Sequence, residues 1–469
     1  MQALPRLRRR EADTTSYVAD YLTRSVRRAS GFVLEVKKGI SIPDRRITVG
    51  KIRLCAVATL AAACVMTIIA VQSAQAQTEN VLYSFTGGSD GGAPFAGLMD
   101  ATGNFYGTTT YGGRIGDCPF QPCGVVFQLS KTGKETVLYN FCSQSNCVDG
   151  AVPDAGVIQD AEGNLYGTAR EGGTHAAGVV FKLSKGKETV LHTFCSASNC
   201  ADGVFPYAGV IQDAEGNLYG TTYEAGDLDC GNGHGCGTVF KLSKTGKFTV
   251  LHTFTGGLSN GPDGADPYGG LVRDAAGNLY GTTSAGGAYG YGTVFKLSKT
   301  GKETVLYSFC SQSEGCTDGA NPYAGLIQDA AGNLYGTTYQ GGNYTYGGGT
   351  VFKLSKTGKE TVLHNFCRQS GCTEGKNPYA GVIQDAEGNL YGTTLNGGSG
   401  VYCGTDCGTV FKLSKTGKET VLYNFCSASN CADGASPYAG VIRDAKGNLY
   451  GTTYNGGTDG YGVVFKLTQ

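Results

Sequence analysis

The sequence predicts an all-β fold, a seven-bladed β-propeller with four antiparallel strands per blade. Three observations predict it. The string GNLYGTT, with small variations, recurs seven times, its tyrosine at Tyr106, Tyr166, Tyr219, Tyr280, Tyr335, Tyr391 and Tyr450, and a period of this size marks a repeat architecture. Glycine supplies 76 of the 469 residues and tryptophan none, beside 28 Tyr and 20 Phe, a composition of short strands and turns rather than of long helices. The ends of the repeat region are complementary. It opens on a fourth-strand motif, VLYSF at 81–85, and stops after a third-strand motif, GVVFKL at 462–467. One blade is complete only if strand 79–85 pairs with strand 462–467, which closes the ring and hides its edges.

In chain order, residues 1–76 come first and differ from the rest. They hold 13 Lys and Arg against 5 Asp and Glu, a net +8, so the remainder carries −8 although the whole chain balances at 38 against 38. Lys51 and Arg53 precede an uncharged apolar run from Leu54 to Val71, followed by Gln72-Ser73-Ala74-Gln75-Ala76. This is the order of charged, apolar and small-residue regions in an export signal. Cleavage after Ala76 is expected, with an uncleaved anchor as the alternative, since 18 residues is the lower edge of a membrane span. The stretch before Val49 has no core pattern, and Val49 is the expected true start. The mature chain, 77–469, is then exported to the cell surface, the medium or the periplasm, with no membrane insertion after cleavage.

Each of the seven repeats, averaging 56 residues, reads as four short apolar runs. In the third copy they are 206–213 (PYAGVIQD), 217–223 (NLYGTTY), 237–243 (GTVFKLS) and 248–254 (FTVLHTF). Each is rich in Val, Tyr, Phe and Thr and bounded by turn residues. DAEGN and SKTGK between them are tight-hairpin signals in which Gly supplies a positive φ. Pro206 opens its strand, where a missing N–H does least harm. The unit GTVFKLSKTGKETVLYNF, followed by DGAxPYAGVIQDAEGNLYGTTYxGG, resembles the GloVer tandem repeat of bacterial surface and exported proteins over residues 79–469. The shorter DxxGNLY element also resembles NHL-type propeller repeats. The resemblance implies export and a repeat architecture, and it brings no activity and no functional residues with it.

Sixteen cysteines follow the leader, in eight local couples: Cys118 with Cys123, Cys142 with Cys147, Cys195 with Cys200, Cys230 with Cys236, Cys310 with Cys316, Cys367 with Cys372, Cys403 with Cys407, and Cys426 with Cys431. Copies that lack one partner also lack the other, as a disulfide demands. Zinc binding is the rival reading, but the couples are spread round the repeats and most gaps exceed zinc-ligand spacing.

Alternating strand direction sends the connections between blades and the second-to-third-strand loops to one face. These are the long, variable loops. The face they form holds 17 acids against four bases, which disfavours nucleic acid and suggests a cationic partner or Ca²⁺. Candidate binding residues on it are Tyr111, Asp117, Asp227, Asp229, His234, Tyr289, Tyr291, Tyr344, Tyr346, Tyr402, Asp406, Asp459 and Tyr461, since tyrosine offers contact area at low entropic cost. The competing structural reading makes Asp149, Asp202, Asp318 and Asp433, each before Gly, and Asp160, Asp213 and Asp385 turn residues. It also lets Tyr pack over bare Gly-Gly backbone. His192, His252 and His364 occupy a strand position held by Tyr in other copies and read as packing residues. Lys131-Thr132-Gly133-Lys134-Glu135-Thr136 lacks the Ser or Thr that a phosphate loop needs after Gly-Lys. No catalytic residue or metal ligand is predicted. The reading favoured is an exported, monomeric, non-enzymatic binding scaffold for a protein or glycan at the cell surface. The alternatives are a propeller-type hydrolase or lyase acting on an extracellular polymer, and a structural surface component.

Overall fold

Period-2 strands joined by glycine turns have one way to bury both faces here, which is to stack blade on blade around an axis. The computed structural model describes residues 78–113, 123–230, 233–256, 263–311, 315–342, 347–402 and 407–469. They form seven four-stranded antiparallel sheets. Blade 1 runs from Met99 to Asn140, blade 2 from Ile158 to Thr193, blade 3 from Ile211 to Thr253, blade 4 from Val272 to Ser308, blade 5 from Ile327 to Asn365 and blade 6 from Ile383 to Asn424. Blade 7 takes three strands from 442–468 and its outer strand, Thr78–Ser84, from the start of the repeats. Thr78 pairs with Thr468 and Ser84 with Val463, so the ring closes as expected. Among the described residues no helix is long and apolar enough to cross a membrane.

The hairpins form for the reasons read in the sequence. Asp213 accepts hydrogen bonds from the Asn217 backbone N–H (2.8 Å), the Asn217 side-chain amide (2.9 Å) and the Tyr219 hydroxyl (2.9 Å), which closes the DAEGN turn. In blade 2 the third-to-fourth-strand turn is one residue shorter. There Lys185 and Gly186 both take positive φ, 49° and 77°, and Ser184 pairs with Lys187, the geometry of a primed two-residue turn.

The first strands are shorter than expected. The run predicted as 206–213 pairs only at Ile211 and Gln212. Pro206 has no N–H to give a ladder, and the residues after it bend around the axis, where a Cβ on Gly209 would stand 2.9 Å from the Gly156 carbonyl oxygen of the neighbouring blade. The strand interiors are equally tight, since a Cβ on Gly220 would meet the Phe240 ring at 2.6 Å.

Two devices repeat at all seven blade interfaces among the described residues. A threonine at the end of each second strand donates to a backbone carbonyl of the next blade, as in Thr108 to Ala155 (2.8 Å), Thr282 to Ala324 (2.8 Å) and, across the closure, Thr452 to Ala96 (3.0 Å). A phenylalanine after each outer strand meets a third-strand phenylalanine edge-to-face, from Phe85 with Phe127 (5.2 Å) round to Phe425 with Phe465 (5.0 Å), the geometry that aromatic quadrupoles favour.

Six of the predicted disulfides lie within the described residues: Cys142–Cys147, Cys195–Cys200, Cys230–Cys236, Cys310–Cys316, Cys367–Cys372 and Cys426–Cys431. Cys123 and Cys407 are disulfide-bonded too, and their predicted partners Cys118 and Cys403 lie outside the described residues. Such a set fits an oxidising extracellular or periplasmic environment. The predicted leader, 1–76, also lies outside the described residues.

Candidate binding face

Each blade enters its first strand through Pro followed by one residue that points at the axis. In blades 1 to 7 that residue is Phe95, Asp154, Tyr207, Tyr268, Tyr323, Tyr379 and Tyr438. The six rings form one half-buried cluster. Tyr207 stacks on Tyr268 (4.5 Å), Tyr323 on Tyr379 (5.2 Å) and Phe95 on Tyr438 (4.7 Å). Tyr379 also meets Tyr268 of blade 4 and Phe95 of blade 1, each at 5.6 Å, so it reaches across the axis. Burial raises the phenol pKa of Tyr268 and of Tyr379, which keeps both neutral.

Blade 2 breaks the ring. Asp154, 7% exposed, pairs with the Arg170 guanidinium (Nε to Oδ2, 2.7 Å) and accepts from the Thr110 hydroxyl (3.0 Å). Arg170 also donates to the Tyr207 hydroxyl (3.2 Å) and meets Glu171 at 3.0 Å. Burial pushes Asp154 up to about 6, against the opposing pull of Arg170 and Thr110. In blade 4 Asp266, at the position before Pro, is also raised to about 6, by burial first and then by Glu224. The loops that carry these groups are the long ones, so the aromatic cluster and its two asymmetric carboxyls sit at the long-loop end of the axis. Sequence reasoning missed this cluster, although its signal was present as a column of six aromatics and one Asp after Pro.

Around this centre, Tyr111, Tyr289, Tyr291, Tyr402 and Tyr461 are 38–56% exposed, joined by Leu228 at 40% and Val401 at 78%, two apolar residues that the sequence reading did not single out. Tyr111 packs edge-on to Tyr454 at 6.2 Å, which links rim to axis. Tyr461 behaves as the structural reading anticipates, since a Cβ on Gly87 would stand 2.6 Å from its ring. Asp229, His234 and Asp459 are exposed and Asp227 is half-buried. Asp117, Tyr344, Tyr346 and Asp406 lie outside the described residues.

Much of the acidity serves the loops themselves. Asp149 accepts from the Ser143 backbone N–H (2.8 Å) and the Tyr139 hydroxyl (2.7 Å), and Asp433 from Ser427 N–H and Tyr423 in the same way. Asp202 takes the Ser196 N–H (3.0 Å) and lies 3.1 Å from His192 Nε2. These carboxylates are therefore turn-builders, and among the described residues Asp229 and Asp459 are acids of this face left exposed to a ligand.

A family model of the Gloeobacter/Verrucomicrobia repeat matches residues 67–234, 196–326 and 231–465. No curated protein matches the chain. Among solved structures, a luciferin-regenerating enzyme is similar at 13% identity and TM-score 0.40, over 84% of this chain and 95% of its own. A fungal alcohol oxidase of the AA5 family, in complex with copper, is similar at 12% identity and TM-score 0.44, over 83% and 75%.

Proposed function

This chain belongs to the Gloeobacter/Verrucomicrobia repeat family, and from that premise we propose that it is an exported, non-enzymatic binding scaffold that takes a protein or glycan of the cell surface on its long-loop face. One observation carries the reading. Six of seven axial positions present aromatic rings, and the seventh replaces its ring with the Asp154–Arg170 pair, seated against Tyr207. Stacked rings offer apolar faces to sugar or side-chain carbons, and one ionic group set among them gives such a surface a direction. The exposed tyrosines of the rim extend the same surface outward.

A hydrolase or lyase reading draws on the two axial carboxyls, Asp154 and Asp266, both raised to about 6. Acid–base chemistry needs a carboxyl that can reach a substrate, and Asp154 has both oxygens engaged by Arg170 and Thr110, which supports binding over turnover.

The test is glycan-array binding and pull-down from cell-surface extract, comparing the intact protein with Arg170→Leu and with a Tyr289→Ser, Tyr402→Ser double variant. A loss of about tenfold or more in each is expected, as for removal of an interface anchor. Equal recovery by all three proteins would discard the face, and release of cleaved polymer by the intact protein would favour the enzyme.

A further inference from the structure

Blade twist brings the start of each outer strand beside the end of its neighbour's, and the crevice between them holds a repeated trio. A Tyr or His ends one outer strand, an acid follows in the loop, and a second residue, Glu in six copies, begins the next outer strand. At the blade 1–2 interface Tyr139 donates to Asp149 at 2.7 Å. Where His replaces Tyr, His192 and His252 lie 3.1 and 3.2 Å from Asp202 and Asp263. Each trio is thus internally satisfied at its Tyr or His.

The blade 5–6 crevice departs from the pattern. The loop acid is Glu374 in place of Asp, and Arg368 claims it, through its backbone N–H to Oε1 (2.7 Å) and its guanidinium to Oε2 (3.0 Å). His364 is only 5% exposed, and its buried Nε2 has no hydrogen-bond partner; Glu419 begins the next outer strand, and its Oε1, like that of the glutamate at this place in every other copy that has one, is buried without a partner. His364, Glu374 and Glu419 bring one ligand atom each to within 4.8 Å of one another.

We propose that His364, Glu374 and Glu419 bind a zinc ion between blades 5 and 6. A buried imidazole nitrogen left without a partner between two carboxylates is an electron-pair donor waiting for a cation. Zinc takes imidazole and carboxylate at about 2.0–2.2 Å, with ligand atoms about 3.4 Å apart in a tetrahedron. To reach that spacing from the present one the glutamate side chains would have to rotate on binding, and three protein ligands leave one position for water. Calcium, which takes six to eight oxygens, does not suit the set. Arg368, holding Glu374 from outside, acts as the outer partner that ligating carboxylates usually have. The six described disulfides remove those cysteines as competitors.

Titration with zinc chloride, followed by calorimetry and by melting temperature, tests the site. One ion per chain is expected, with a raised melting temperature and no response to calcium or magnesium chloride. His364→Tyr installs the residue that blades 1, 4, 6 and 7 carry at this place, and Glu374→Asp restores the loop acid of the other copies. Each should weaken zinc binding on the order of 100-fold while leaving the metal-free melting temperature near that of the intact chain. Should either fail to fold, Glu419→Gln, of the same shape, reads the same loss. No heat and no melting shift with the intact chain would overturn the site. So would undiminished binding by His364→Tyr, which would place the ion elsewhere on the chain.

Discussion

At the scale of the residue, the molecule is held by small groups repeated in register. Thr282 is 1% exposed and its hydroxyl donates to the Ala324 carbonyl of the next blade at 2.8 Å. Replacing it with Val keeps the shape and leaves that buried carbonyl short of a donor, at a cost of about 1–2 kcal/mol. Thr282→Ser keeps the donor and loses only a methyl, about 1 kcal/mol or less. Denaturant melts should therefore rank intact protein, Ser variant, Val variant, and a Val variant as stable as the intact chain would remove the hydroxyl from the account of blade docking. Residues of this kind were legible only as repetition. The sequence shows that Thr recurs, but its partner lies about 40 residues away in another blade. The same limit hid the axial cluster. Asp154 stands where other copies have Tyr or Phe, yet nothing local says that the column faces the axis or that Arg170, from the next loop, closes on it at 2.7 Å.

At the scale of the element, the hairpins were legible because their causes are local: an Asp that accepts from the residue four places on, and a Gly at positive φ. The first strands were read too long because the pattern Pro-Tyr-Ala-Gly-Val-Ile looks extended and apolar, while the crowding that bends it comes from the neighbouring blade at Gly156 and Gly209. Ring closure was legible from the two half-blades and has a mechanical consequence. The strand Thr78–Ser84 covers the edge of Val463–Thr468 and is followed by Phe85, which packs on Phe127 of blade 1. Deleting residues 78–85 from the mature chain exposes an apolar edge strand and empties one of the seven aromatic contacts. An exposed edge is a template for pairing with another chain. Size-exclusion chromatography should show the deleted form as oligomers or aggregates and the intact form as a single compact species. A compact, equally stable monomer after deletion would mean that the closing strand contributes little.

At the scale of the whole molecule, the charges that the repeats bury set how stability follows pH. The glutamate that begins the outer strand is raised in every copy that has one: Glu79 to about 8, and Glu135, Glu188, Glu303, Glu360 and Glu419 to about 7. Burial is the main cause, and a neighbouring loop acid such as Asp90 or Asp149 adds to it. In each, Oε1 is buried without a hydrogen-bond partner. Because the folded pKa lies above the unfolded value of 4.5, the folded state holds more protons between about pH 4.5 and 8, and stability must fall as pH rises through that window. Asp154 and Asp266, at about 6, act in the same direction. His364, depressed to about 4, acts in the opposite direction between its folded and unfolded values, one group against eight. The turn carboxylates Asp160, Asp213, Asp274, Asp329, Asp385 and Asp444 are held below their usual range, where hydrogen bonds from the following Asn and Tyr outweigh burial. Their contribution is present above the unfolded value and is lost as pH drops below about 4. The two sets place the stability maximum at mildly acidic pH rather than at neutrality. Scanning fluorimetry from pH 3 to 9 in metal-free buffer should show the melting temperature peak near pH 4 to 5 and drop by about 5 °C or more toward pH 8. Replacing Glu135, Glu188 and Glu360 together with Gln, which keeps the shape without the titration, should flatten the alkaline limb and leave the acid limb unchanged. A melting temperature that rises from pH 5 to 8 would show that these carboxyls find water or partners that leave them ionised at no cost.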